Sequence, residues 1–389
     1  MNFKYYIPTK ILFGRGQLAN LHKEKLPGTR ALIVTTGGRS VVDNGYLART
    51  EEELKAAGCT FVLFNKITAN PDRSEVMAGA ALAKAENCDF IVGLGGGSPI
   101  DAAKAIAVMA TNPGDYWDYM VRGTSGGRPV SVTPLPVVAI TTTAGTGTEA
   151  DPWTVISNAA TGEKFGFGID GTFPVLAVVD PELMLTVPRD YTVFQGFDAL
   201  FHSLEGYLAN IATPVSDIFA LKAVSLIAEN LPAAVFDGGD IAARENMALA
   251  NTLSGMVEST SGCISEHALE HILSGVYKNL PHGAGLIMLS VAYFSKIAEK
   301  HTSDDRLVEL AKALGNKNAK TPEDFIAALQ KLQQACGADK LKMSDYGIEK
   351  ERLHEFAAAA KTQNAMSFRL DPCDLSIADC AEIYERSYR

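Results

Sequence analysis

The stretch "IVGLGGGSPIDAAKAI" (residues 91–106) decides the fold. A short apolar run reaches three glycines and passes through Ser98-Pro99 into a segment of helical composition. Gly95, Gly96 and Gly97 clear side chains from the turn and free its backbone, so the chain there can come close to a bound group. The following helix is expected to start with Ser98 as N-cap, Pro99 in the first helical position and Asp101 in the third. Its unpaired N–H groups and dipole suit a pyrophosphate. A tight turn that only closes a strand onto a helix would look the same. The run is not the G-x-G-x-x-G fingerprint, which needs glycine where Ser98 stands, nor a P-loop, which needs a lysine after it.

Outward from this junction, strands and helices alternate. Strands are expected at 31–36, 60–65, 89–95, 137–143 and 175–180, and helices at 47–58, 74–87 and from Ser98. Val/Ile-rich strands separated by amphipathic helices imply a doubly wound parallel sheet of Rossmann-like type. Beyond residues 180–188 the pattern becomes helical: 193–209, 216–230, 241–260, 263–274, 284–299, 305–314, 321–337, 348–362 and 376–388. Capping boxes at Thr321/Asp324 and Ser376/Asp379 mark two of these starts. The expected division is an α/β domain at 1–187 and an all-α domain at 188–389.

Length and composition agree with two globular domains. The chain has 389 residues, 47% hydrophobic and 21% charged, with a net charge of −10. That acidity argues against a nucleic-acid or anionic-membrane partner. Cys59, Cys88, Cys263, Cys336, Cys373 and Cys380 are scattered without C-x-x-C spacing, as expected of reduced thiols in a cytoplasmic protein. No signal peptide and no uninterrupted apolar span are apparent.

Two further turns bear on a nucleotide. "TTTAGTGTEAD" (141–151) offers hydroxyls and close backbone approach, though Thr/Gly turns are common loops. The first strand ends in Thr35-Thr36-Gly37-Gly38-Arg39-Ser40, without the carboxylate that would accept from an adenosine ribose. Arg39 and Ser40 there suit a 2′-phosphate and favour NADP(H) over NAD(H); the alternative is a solvated loop cation.

Histidine is scarce, at seven residues, and four of them fall in two places. "GFDALFHSLEGY" (196–207) sets Asp198 and His202 four apart on one helix face. "SEHALEHILSGVYKNLPHGAG" (265–285) holds His267 and His271, again four apart, and then His282. One such pair could be an ordinary helix-face contact. Both clusters in one helical domain point to a buried divalent ion, Fe2+ or Zn2+. Cys263 is a further candidate or a small buried residue, and His22, His301 and His354 read as surface residues. An ion facing a nicotinamide would polarise an alcohol or carbonyl oxygen for hydride transfer, with substrate in a cleft between the halves.

These motifs resemble the iron-containing (group III) alcohol dehydrogenase family, which shares its dehydroquinate synthase-like fold with glycerol dehydrogenases. The likeness runs over essentially the whole chain: the start at 13–16, "NP" at 70–71, "GGGSPIDAAKA" at 95–105, "TTAGTGTE" at 142–149, "DPEL" at 180–183, the two histidine stretches, and "AEIYERSY" at 381–388. It implies Asp198, His202, His267 and His282 as metal ligands and His271 as a non-ligand histidine for proton relay. It implies a cofactor surface of Asn70, Gly96, Gly97, Ser98, Asp101, Thr142, Thr143, Thr146, Val155, Lys164 and Leu183. A small alcohol, diol or aldehyde substrate and a homodimer are implied as well. The chain departs from the NAD-preferring pattern at Thr36, and the His271–His282 gap is one residue longer than in many members. A dehydroquinate synthase-like lyase and a non-catalytic nucleotide- or metal-binding relic are the competing readings. The lyase would need several basic groups around the metal residues, where 193–209 and 263–285 carry only Lys278.

Overall fold

The computed structural model describes residues 2–389. They divide into two compact units, one spanning Tyr6–Thr186 and the other Val187–Arg389 together with the residues before Tyr6.

The first unit contains β1 (Lys10–Phe13), β2 (Arg30–Thr36), α1 (Ser40–Asp43), α2 (Tyr46–Ala56), β3 (Thr60–Ile67), α3 (Arg73–Ala85), β4 (Phe90–Gly95), α4 (Gly97–Thr111), β5 (Val137–Thr141), β6 (Thr154–Asn158), β7 (Glu163–Phe167) and β8 (Leu176–Val179). Six strands form one parallel sheet in the order β1-β8-β5-β4-β2-β3, among the described residues. Alternation along the strands separates two apolar layers. Leu32 and Val34 of β2 and Ile91 of β4 face α3 and α4, whereas Ala31, Ile33, Val92 and Leu94 face α2. Both faces are therefore covered, which explains the nearly unbroken Val/Ile/Leu runs.

Chain order runs outward from β2 to β3 and then returns to β4 on the other side of β2. This reversal is where open α/β sheets bind ligands, just beyond the strand ends. Residues 37–40 after β2 and 95–98 after β4 flank it.

The start of α4 corrects the expected cap. The helix begins at Gly97 with Gly96 before it, so Ser98 and Pro99 lie in its first turn. Gly95, at φ 141°, takes a conformation closed to other residues and lets the chain turn early. Proline is tolerated in that turn because first-turn N–H groups have no helical acceptor. The β6–β7 hairpin was not foreseen. Both strands are buried on nearly all sides, so the two-residue alternation that marks a strand is missing.

The second unit is helical: α5 (Arg189–Leu208), α6 (Pro214–Phe236), α7 (Ile241–Ser261), α8 (Ser265–Val276), α9 (His282–Glu299), α10 (Asp304–Ala313), α11 (Pro322–Cys336), α12 (Leu353–Gln363), α13 (Ala365–Leu370) and α14 (Ile377–Ser387). α5, α6 and α7 pack on one another, and α5 and α8 both pack on α9. α6 is long and apolar enough to cross a membrane by length and composition, but Asp217, Lys222, Glu229 and Pro232 interrupt it, so it is not the unbroken apolar span that the sequence was expected to lack. Its packing and the Asp217–Arg306 ion pair give it the character of a core helix.

Asp180 holds the end of β8 to the start of the unit. Its buried carboxylate accepts from the backbone N–H groups of Gly16, Leu18 and Glu182, each at 3.1 Å. Asp180→Ala removes the acceptor of the buried Leu18 N–H and of the partly buried Gly16 and Glu182 N–H groups. It is expected to lower stability by roughly 3 kcal/mol, measured by urea denaturation.

Candidate metal and cofactor sites

α5 is buried almost continuously from Gly196 to Leu208, so its polar side chains need partners within the protein. Asp198 and His202 lie one turn apart on it, with His202 Nε2 3.6 Å from Asp198 Oδ1. His267, in the first turn of α8, brings its Nε2 to 3.5 Å from the same oxygen. His282, the first residue of α9, does so at 3.5 Å. Gly283 makes this last approach possible. A β-carbon there would sit 2.1 Å from the Phe194 carbonyl oxygen, so only glycine lets α9 start against α5.

The spacing fits a divalent ion. Ligands about 2.1 Å from a tetrahedral centre lie about 3.4 Å apart. Asp198 Oδ1 and His267 Nε2 are buried and make no hydrogen bond in the protein. Such orphaned atoms are costly unless something is held between them. Three imidazole nitrogens and one carboxylate oxygen suit Fe2+ or Zn2+.

The far nitrogens of two rings are also fixed. His267 Nδ1 pairs with Glu205 and His282 Nδ1 with Glu270, both fully buried carboxylates. Such partners set ring orientation and leave Nε2 facing the ion position. Sequence reasoning missed both glutamates, yet a signal was present. Asp198, His202 and Glu205 follow i, i+4, i+7 spacing on an apolar helix, and Glu270 lies three residues after His267. His271 lies beside His282 at 5.2 Å between ring centroids and is only partly buried. The His282 side chain is 22% exposed, against 6–7% for Asp198, His202 and His267, so the cluster opens on the His271/His282 side. Cys263 lies close to His202 and His267. His301 and His354 are exposed, while the partly buried His22 bonds Glu53.

Burial opposes ionisation of Asp198, but His202, His282 and His267 outweigh it and hold the carboxyl well below its usual range. Burial likewise opposes a charged His267, and Cys263, Glu205 and Asp198 overcome it, raising that ring's affinity for a proton.

In the first unit, Gly96, Gly97 and Ser98 are the half-exposed residues of an otherwise buried run from 91 to 100. They meet the Thr142–Thr148 turn: a β-carbon on Gly97 would lie 2.5 Å from Thr146 Cγ2, and one on Gly96 3.0 Å from Thr143 Oγ1. The structure thus gathers Gly96, Gly97, Thr143 and Thr146 on one rim, with Thr142 N–H donating to Gly95 O at 2.9 Å. Asn70 adopts a left-handed backbone just before α3. Arg39 and Ser40 are exposed, and Arg39 pairs with Asp43 at 3.0 Å.

Asp101 is buried, and both its oxygens are engaged, by Thr148 Oγ1 at 2.6 Å and Val155 N–H at 2.9 Å. One turn on, fully buried Lys104 donates to Thr148 Oγ1, Asp151 O, Asp151 Oδ1 and Trp153 O at 2.7–3.0 Å. Together they clamp residues 148–155 to α4. Sequence reasoning did not single out Lys104. Lys164 is buried on β7, opposite Ser157, and Leu183 lies wholly within the apolar layer under β2.

A doubly wound sheet with a glycine rim, joined in one chain to a helical unit carrying an Asp/His3 cluster, defines a metal-dependent, dinucleotide-linked oxidoreductase. The model of the iron-containing alcohol dehydrogenases matches residues 8–181, and that of the family's C-terminal part matches 192–388. The chain therefore belongs to the iron-containing alcohol dehydrogenase family. It is 35% identical to the NAD-dependent methanol dehydrogenase of Bacillus methanolicus over 92% of each chain. It is 33% identical to the 1,3-propanediol dehydrogenase of Klebsiella pneumoniae over 94% of each. An archaeal halo-thermophilic alcohol dehydrogenase from a Red Sea brine pool superposes with a TM-score of 0.94 at 33% identity, covering 100% of this chain and 99% of the other.

Metal affinity should fall with acidity, since the raised proton affinity of His267 sets proton against ion. Competition with a chromophoric chelator at pH 6 and pH 8 is expected to show binding about tenfold weaker at pH 6.

Proposed function

We propose that the chain interconverts small primary alcohols or diols and their aldehydes, with Asp198, His202, His267 and His282 holding one divalent ion, Fe2+ foremost. The single observation behind this reading is the convergence of three Nε2 atoms on one buried carboxylate oxygen at 3.5–3.6 Å. When bound, the ion supplies Lewis-acid polarisation of the substrate oxygen. Glu205 and Glu270 hold the His267 and His282 rings in the tautomer that presents Nε2. His271, partly buried beside His282, passes the hydroxyl proton to solvent. The reaction balances as alcohol plus NAD(P)+ giving aldehyde, NAD(P)H and one proton.

On the cofactor side, Gly96, Gly97 and Ser98 at the start of α4 hold the pyrophosphate, with Thr142, Thr143 and Thr146 opposite. Asp101, through Val155 N–H and Thr148, positions the neighbouring segment, while Lys164, Leu183 and Asn70 complete the surface. NADP(H) is favoured over NAD(H), although the Bacillus methanolicus relative is named for NAD. No carboxylate stands at Thr36, and the exposed Arg39–Asp43 pair is weak enough for a 2′-phosphate to recruit the guanidinium. Methanol and 1,3-propanediol, named in those two relatives, mark the substrate range. We also infer a homodimer in the cytoplasm, the latter in keeping with six free thiols.

Absorbance at the reduced-nicotinamide band, followed with a panel of short aldehydes, should fall with Fe2+-loaded protein and stay flat after chelation. Coenzyme turnover indifferent to chelator would defeat the assignment. His271→Gln is expected to lower kcat roughly 100-fold and flatten its pH profile, with metal content unchanged. Arg39→Ala should raise the KM for NADPH about fivefold and leave that for NADH within about twofold.

A further inference from the structure

We propose that His202 and His267 also serve a second cation position, completed by Cys263 and Glu258, which takes thiophilic divalent ions in competition with the Asp198–His282 position. The inference deepens the metal reading above by defining which ions the centre accepts and where a foreign one lodges.

The donor atoms of His202, Cys263 and His267 lie within 4.8 Å of one another. Glu258 brings Oε2 to 3.8 Å from His202 Nε2, nearly the distance at which Asp198 Oδ1 stands from the same nitrogen, 3.6 Å. The rings of His202 and His267 lie 4.6 Å apart and within 19° of parallel. A tetrahedral ion bound to sulfur at about 2.3 Å and nitrogen at about 2.1 Å needs donors roughly 3.4–3.6 Å apart, so the set closes by small side-chain shifts. The His267 side chain is 7% exposed, and its Nε2, 3.5 Å from Asp198 Oδ1, makes no hydrogen bond, so this buried nitrogen is the donor for which the two positions would compete.

The segment carrying the cysteine is built rather than loose. α7 is capped by Gly262, whose φ of 70° turns the chain and whose N–H donates to Glu258 O at 2.9 Å. Ile264 N–H donates to Glu205 Oε2 at 2.8 Å and Ser265 N–H to Asp371 Oδ1 at 2.9 Å. Cys263 is therefore fixed on both sides. Glu205, which orients His267, also anchors this segment.

The two positions share two imidazoles and cannot be filled together. One adds a carboxylate and a third imidazole, suited to Fe2+. The other adds a thiolate and a carboxylate, which shifts preference toward Cd2+ and Zn2+. Binding there exchanges the thiol proton for the metal–sulfur bond and releases that proton to solvent.

Metal-free full-length protein titrated with Cd2+ is expected to develop thiolate-to-cadmium charge-transfer absorption in the ultraviolet, saturating at about one equivalent. Cys263→Ser and Cys263→Ala should each abolish the band and weaken Cd2+ binding about tenfold or more, with Fe2+ affinity within about twofold of wild type. Glu258→Gln should weaken Cd2+ binding less. Preloading with Fe2+ should suppress the band. No band in the wild type, a band persisting in both cysteine variants, or simultaneous binding of Fe2+ and Cd2+ would overturn the proposal. A Cd2+ band in a protein that takes up no Fe2+ would sink the Asp198 assignment and leave this one standing.

Discussion

One oxygen organises the helical unit. Asp198 Oδ1 is the point on which His202, His267 and His282 converge from three different helices. A buried carboxylate without an acceptor role inside the fold would be a severe liability. Here the surrounding imidazoles keep it ionised, and its burial in turn keeps water from replacing them. The packing of α5 and α8 on α9 is thus inseparable from the geometry of this cluster. Glu205 and Glu270 extend the arrangement outward, since two of the three rings that offer Nε2 inward, His267 and His282, are held by a carboxylate at Nδ1.

The sheet unit solves a different problem. Its rim must leave backbone bare, yet the loop across from it must not wander. Small residues meet the first demand at Gly96 and Gly97, where Thr143 and Thr146 fill the space a side chain would take. Asp101 and Lys104 meet the second. They project from one face of α4 and engage, between them, Thr148, Asp151, Trp153 and Val155. Burial raises both Asp101 and Asp151 above ordinary carboxylates, and the Lys104 ammonium works against that in each case. A charged clamp of this kind is costly to break, because removing one member strands the others.

Much of this was legible in the residues. Parallel strands announced themselves through apolar runs, and the metal cluster through histidines placed four apart in helices with little other use for them. What escaped has physical reasons. The β6–β7 hairpin is buried on both faces and so shows no alternation. The start of α4 was displaced because the cap-forming residues Ser98 and Pro99 are strong local signals, whereas the glycines before them carry none beyond freedom. Glu205 and Glu270 were passed over because a glutamate in a helix reads first as a solvated residue. Only the fold shows that both face inward. Lys104 was overlooked for the same reason.

Gly283 has a consequence for how the centre is filled. Because α9 meets α5 through bare backbone, the place where the four side chains converge owes its shape to helix packing. On the metal reading proposed above, exchange of the ion would require no unfolding, only passage along the flank where the His282 ring meets solvent. On that same reading the occupant would follow the surrounding ion pool, and growth conditions would leave their imprint on each purified batch.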